Sequence, residues 1–195
     1  FDMDVAPVRA FAPPELGVLR QMLSQGVNTP RTSSVGRLFD AVASLIGLRQ
    51  QAAFEGQAAM ELEYALEGIE TEEAYPLDRG LSSPRGASGL ENPRSLDWRP
   101  LIEALLADVQ AAVPAPLISA RFHNALAQVV VDLAQHFGQE RIALSGGCFQ
   151  NKFLSERVIT LARRAGLRPY WHQNVPPNDG GIALGQLVYA VRYAT

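Results

Sequence analysis

Residues 141–166, RIALSGGCFQNKFLSERVITLARRAG, constrain this chain more than any other stretch. Ile142, Ala143 and Leu144 form a short apolar run, the pattern of a strand buried on both faces. Ser145, Gly146 and Gly147 interrupt it. Leu154, Val158, Leu161 and Ala165 then recur at three- and four-residue intervals, the apolar stripe of a helix. A glycine turn between strand and helix lets a ligand reach bare backbone. The first helical N–H groups and the positive end of the helix dipole point at that place. A plain strand–helix turn also uses glycine, for its backbone angles alone. The glycine pair by itself leaves the two readings level.

Composition narrows the partners. A chain of 195 residues with 47% hydrophobic and 19% charged residues can build an ordinary globular core. Its net charge of −3, with no basic run, argues against nucleic acid. No apolar stretch approaches the ~20 residues of a membrane span. The N-terminus is acidic and proline-broken, so no secretory leader is expected. Cys148 is the one cysteine, which excludes an internal disulfide and suits a reducing cytoplasm.

Helical patterns dominate the rest. They cover Pro14 to Gln25, residues 34–47 with Gly47 as the stop, Gly56 to Leu66, and Trp98 to Ala112. Pro114 and Pro116 are expected to end the last of these. A long amphipathic helix is expected over Ser119 to Phe137, stopped by Gly138, and a final one over Ile182 to Ala194. Residues 68–95 are rich in Gly, Pro, Ser and charge and read as a flexible loop or short hairpin. A second short strand is expected at Arg168 to His172. Strands alternating with helices near the C-terminus mark a helix-rich α/β domain.

Four short sites could carry chemistry. Asp40 is an acid inside an apolar helix, where it either faces solvent or accepts hydrogen bonds from ribose hydroxyls. Gly56 opens a helix in FEGQAA, as a helix start or as a close approach to a ligand. Gly146 and Gly147 precede Asn151, placed in the first helical turn. Asp179 in PPNDGG is followed by two glycines, which suit either an ordinary turn or a backbone wrapped around a ligand. His123, His136 and His172 have no zinc-ligand spacing; His123 reads as a helix-surface or internally satisfied residue. Ser145, His172 and Asp179 make a triad on paper, without a nucleophile-elbow motif behind it. Cys148 reads as a small residue packed under the glycine turn rather than a nucleophile.

Taken together, TSSVGRLFDAVASLIGL, FEGQAAMELE, ARFHNALA, LSGGCFQNKFLSERV and PPNDGGIALGQ resemble the C-terminal segment of the HypF family of hydrogenase maturation carbamoyltransferases. The resemblance runs from about residue 31 to the C-terminus. That segment is similar to the Kae1/TsaD threonylcarbamoyl transferases. The resemblance implies a ribonuclease-H-like lobe of the actin-like, sugar kinase and Hsp70 ATPase superfamily. It implies a carbamoyl-adenylate made from ATP and carbamoyl phosphate, with the carbamoyl group passed to the C-terminal cysteine of HypE. That group becomes the cyanide ligand of a nickel–iron centre.

Residue by residue, the resemblance makes Asp40 the ribose carboxylate and places Gly56 near the same nucleoside. It gives Gly146, Gly147 and Asn151 the phosphate and base side of the nucleotide. It makes Asp179 a ligand of a divalent metal, whether zinc, iron or magnesium. The family's histidine pair for that metal is missing here, as are the remaining domains of HypF. The whole chain, 1–195, is therefore expected to be the second lobe of a Kae1-like domain, from a protein about four times longer. Alone it is expected to be inactive and to supply no nucleophile. Two other readings remain open: a sugar kinase-like nucleotide enzyme, and a non-catalytic interaction domain that kept the fold.

Overall fold

Short apolar periodicities fix where this chain coils. The computed structural model describes residues 1–77 and 96–193, in two units. The first comprises Phe1–Thr71 with Arg99–Arg121, and the second Glu72–Trp98 with Phe122–Thr195.

The first unit holds α1 (Ala6–Arg9), α2 (Pro13–Gln25), α3 (Val35–Leu45), α4 (Gln57–Ala65), α5 (Arg99–Gln110) and the start of α6 (Ala115–His136). Ser34 caps α3 by accepting from the Arg37 N–H at 3.3 Å. Gly47 closes it: Gly47 N–H reaches Ser44 O at 3.0 Å and Leu48 N–H reaches Ala43 O at 2.9 Å. Phe39, Val42 and Ala43 of α3 are buried, as are Ala58 and Leu62 of α4, and the two helices pack together. Leu101 and Leu105 of α5 and Ile118 of α6 are buried in the same unit. The buried Ser119 hydroxyl donates to Leu62 O at 2.6 Å, beyond the reach of the α4 ladder.

Two boundaries depart from the sequence expectation. α5 ends at Gln110, and Ala112 turns left-handed at φ 56°, so the closure precedes the prolines. Pro116 then lies inside α6, which begins four residues before the expected Ser119. A first-turn proline loses only an N–H that has no helical partner, so it starts this helix instead of ending one.

The second unit holds the rest of α6, β1 (Arg141–Leu144), α7 (Lys152–Arg164), β2 (Arg168–Trp171) and α8 (Ile182–Tyr193). β1 and β2 are parallel, with Arg141 opposite Arg168 and Leu144 opposite Trp171. α7 is the crossover between them, as a parallel pair requires. Val131 and Ala134 of α6 meet Ala162 of α7 and Leu167, with Ile142 and Leu161 packed alongside. β1 is not buried on both faces as its apolar run suggested. Leu144 is buried while Arg141 and Ala143 are exposed, because the sheet has two strands among the described residues and packs on one face.

Residues 72–77 correct part of the expected flexible segment; 78–95 lie outside the described residues. Tyr75 is buried, and Glu73 O accepts from Asn124 Nδ2 at 2.9 Å. Glu72 takes both guanidinium arms of Arg157 from α7, one at 2.9 Å. Those hydrogen bonds hold the Glu72 carboxyl below the usual glutamate range. A carboxyl lowered by folding stabilises the native state above its unfolded pKa, and the gain is lost as pH falls through the folded value. The stability gap between wild type and Glu72→Gln should therefore shrink as pH falls from neutral to below the ordinary glutamate range. Urea unfolding midpoints measured across that range check it; a constant gap rejects the ionic contribution.

Candidate nucleotide site at the glycine turn

β1 delivers the chain into Ser145 and Gly146, and Gly147–Gln150 form a single 3-10 turn ahead of α7. Gly146 sits at φ 99°, ψ 162°, a conformation that an L side chain resists. Its N–H donates to Pro177 O at 2.8 Å, which ties the turn to the 173–178 loop. Gly147 differs. Its φ is not left-handed, and a Cβ built there meets nothing within 4 Å. Neither backbone strain nor packing among the described residues demands glycine at 147, so its missing side chain leaves its backbone open there.

Asn151 is the N-cap of α7 rather than a first-turn residue. Its Oδ1 accepts from the Leu154 N–H at 2.7 Å, and its Nδ2 stands 2.9 Å from His123 Nε2. The cap fixes which end of the amide is oxygen, so the NH₂ group faces the imidazole. Nε2 must then accept, which puts the ring proton on Nδ1. His123 is fully buried, edge-on to Phe122 and Phe153 at centroid distances of 5.7 and 5.6 Å. It is the internally satisfied residue of the sequence reading and does not lie on the helix surface. The sequence showed His123 within ARFHNALA but gave no sign that it bonds a residue 28 positions later.

The PPNDGG turn explains its own glycines. A Cβ at Gly181 would lie 2.9 Å from Pro176 O, and one at Gly180 3.1 Å from Asn178 Oδ1. These glycines let the chain wrap tightly on itself. Asn178 Oδ1 accepts from Gly180 N–H at 3.1 Å and opens the short turn Asp179–Gly181. Asp179 is exposed. Among the described residues no group of three His, Cys, Asp or Glu side chains could hold a metal ion. One exposed carboxylate does not make a cation site, and the described residues alone do not fit the implied metal.

Two members of the paper triad do meet. His172 Nε2 lies 3.1 Å from Ser145 Oγ. Among the described residues, no hydrogen bond joins Asp179 to that pair. Cys148 is half-buried, and burial pushes its thiol up, away from the reactive thiolate.

Asp40 and Gly56 lie in the first unit. The Asp40 carboxylate is one-third exposed on α3 and pairs with Arg37 one turn earlier at 3.1 Å. Asp40 is thus half-buried, between the two readings of the sequence, and part of its carboxylate stays accessible. Gly56 is the N-cap of α4 at φ 82°, so the helix start itself demands glycine. Beside it Gln57 Oε1 accepts from Ala53 N–H at 2.7 Å, and Arg49 pairs with Glu61.

A glycine turn at the carboxyl end of a parallel strand, followed by a capped helix, marks a helix-rich α/β domain with a strand–turn–helix of the kind at which ligands are taken. Residues 4–186 match the family described as the carbamoyltransferase, Kae1-like domain, second subdomain, and the chain belongs to it. The carbamoyltransferase HypF of Synechocystis sp. is 42% identical over 174 residues, 89% of this chain and 21% of that relative. A crystal structure of full-length HypF in its phosphate- and nucleotide-bound form superposes with a TM-score of 0.81. It is 36% identical and covers 95% of this chain and 24% of that one. The T. kodakarensis HypF structure follows at a TM-score of 0.72 and 26% identity, covering 93% of this chain and 22% of its own. The chain thus spans about a quarter or less of the length of these relatives. The helix-rich α/β fold with a small parallel sheet is that of a Kae1-like domain.

Replacing Asn151 tests how far the turn depends on it. Asn151→Ala should remove an N-cap worth about 1 kcal/mol. It also strands the buried His123 acceptor, at a further cost of about 1–3 kcal/mol. Chemical denaturation should show both losses together, and a change under 0.5 kcal/mol would refute this account of the cap.

Proposed function

We propose that this chain is the nucleotide-holding second subdomain of a carbamoyltransferase. That enzyme makes carbamoyl-adenylate from carbamoyl phosphate and ATP. It passes the carbamoyl group to the C-terminal cysteine of HypE, in the cytoplasm, for cyanide ligand synthesis in [NiFe]-hydrogenase maturation. The observation that carries the reading is Gly147, a glycine that its own chain does not require, at a strand–helix turn where anions bind. The nucleotide- and phosphate-bound form of the HypF relative points the same way.

In this reading Gly146 and Gly147 present backbone to the phosphate side. Asn151 works through its cap, holding the turn and the start of α7 in place. Asp40 accepts hydrogen bonds from the ribose diol, and Gly56 keeps the approach to the same nucleoside clear of a side chain. In the transfer step the HypE cysteine sulfur bonds to the carbamoyl carbon, the carbon–oxygen bond to the phosphate breaks, and AMP leaves. This chain's part is positioning and electrostatic support, and it supplies no nucleophile. Asp179 would give one carboxylate to a divalent metal whose other ligands come from other parts of the longer protein. The isolated chain is then inactive in transfer.

Asp40→Ala, in the protein that carries this chain at natural length, should weaken AMP binding about tenfold, the worth of a charge-assisted hydrogen bond. Calorimetric titration reads it, and unchanged affinity would remove Asp40 from the site. Gly147→Val should abolish AMP binding while the melting temperature holds, because the added side chain meets open space in the folded chain. Normal AMP affinity in that variant would sink the phosphate-turn reading.

A further inference from the structure

The register of the sheet does more than pair its strands. Leu144 stands opposite Trp171, so the next residues, Ser145 and His172, leave the two carboxyl ends side by side. Their side chains meet at 3.1 Å between Ser145 Oγ and His172 Nε2. Open α/β sheets take their ligands at the carboxyl ends of the strands, and Gly146 and Gly147 follow directly on Ser145.

The pair could in principle be a nucleophile with its base. Such a base needs a third group to orient it. Among the described residues no carboxylate bonds His172, and Asp179 does not reach the pair. The hydrogen bond serves another purpose when it runs from the imidazole to the hydroxyl. An Nε2–H donated to Oγ leaves the hydroxyl hydrogen free to point elsewhere. A hydroxyl donor held two residues ahead of the open backbone at Gly147 suits an anionic oxygen.

We propose that the Ser145 hydroxyl, oriented by His172, donates to a phosphate oxygen held at the Gly146–Gly147 turn. His172 is then a positioning residue, acting through Ser145. The proposal rests on the nucleotide reading above and adds to it the residue that senses the phosphate. The phosphate could belong to the nucleotide or to a separate phosphoryl compound, and the two sources are separable by titration.

The test titrates AMP, adenosine and inorganic phosphate into the natural-length protein and its variants. Ser145→Ala should weaken AMP about tenfold and adenosine less than twofold, because only the phosphate contact is lost. His172→Phe should reproduce most of that selective loss, whereas His172→Gln, which keeps a donor, should recover part of it. Ser145→Thr should bind AMP like wild type. If Ser145→Ala weakens inorganic phosphate and leaves the AMP-to-adenosine ratio alone, the hydroxyl serves the separate phosphoryl group, and the donor role stands. If Ser145→Ala weakens AMP and adenosine equally, or changes no ligand, the pair is structural and the proposal falls while the nucleotide reading survives. A wild-type protein that binds none of the three ligands overturns both.

Discussion

One side-chain amide holds this site in shape. Asn151 is bonded at both ends, through oxygen to the first turn of α7 and through nitrogen to His123 deep in α6. The cap starts α7, so it fixes where the strand–turn–helix passage ends. The His123 bond anchors that cap to a residue with no solvent contact. A buried polar pair of this kind is costly to leave half made, and that cost gives the turn a single geometry. Gly146 then binds the neighbouring loop through its N–H to Pro177 O, so the two glycine-bearing loops of the second unit share one framework.

The glycines divide by cause. Gly56 and Gly146 answer to backbone angle, and Gly180 and Gly181 to the crowding of Pro176. Gly147 answers to neither. A sequence prints all five alike. The backbone angle at each, and the distances around its absent Cβ, separate the four that the fold requires from Gly147.

Much of the fold was legible because it rests on local rules. The helix over 34–47 announced itself by its apolar face and its glycine stop, and the structure closes it at Gly47. The strand–turn–helix of 141–166 followed from a change of periodicity. The misreadings were tertiary. Pro116 looked like a breaker because the sequence does not show that a new helix begins one residue before it. The 72–77 segment looked loose because its partners, Asn124 and Arg157, lie about 50 and 85 residues away. The partner of His123 went unseen for the same reason, since Asn151 lies 28 residues on. Ser145 and His172 were paired on paper, but only the strand register supplied the 3.1 Å contact.

α8 has no buried residue, and Leu187, Tyr189 and Val191 all stand exposed along it. A twelve-residue helix held by its own backbone bonds alone is marginal in water. Taken by itself, such a helix opens at little free-energy cost, like other elements with few apolar contacts. The Asp179–Gly181 turn runs straight into its first residue. Fraying at α8 thus loosens the backbone that carries Asp179, whereas anything that covers the helix's apolar side chains orders that carboxylate as well. Order in α8 and order in the Asp179 turn are in that sense linked through a single continuous stretch of chain.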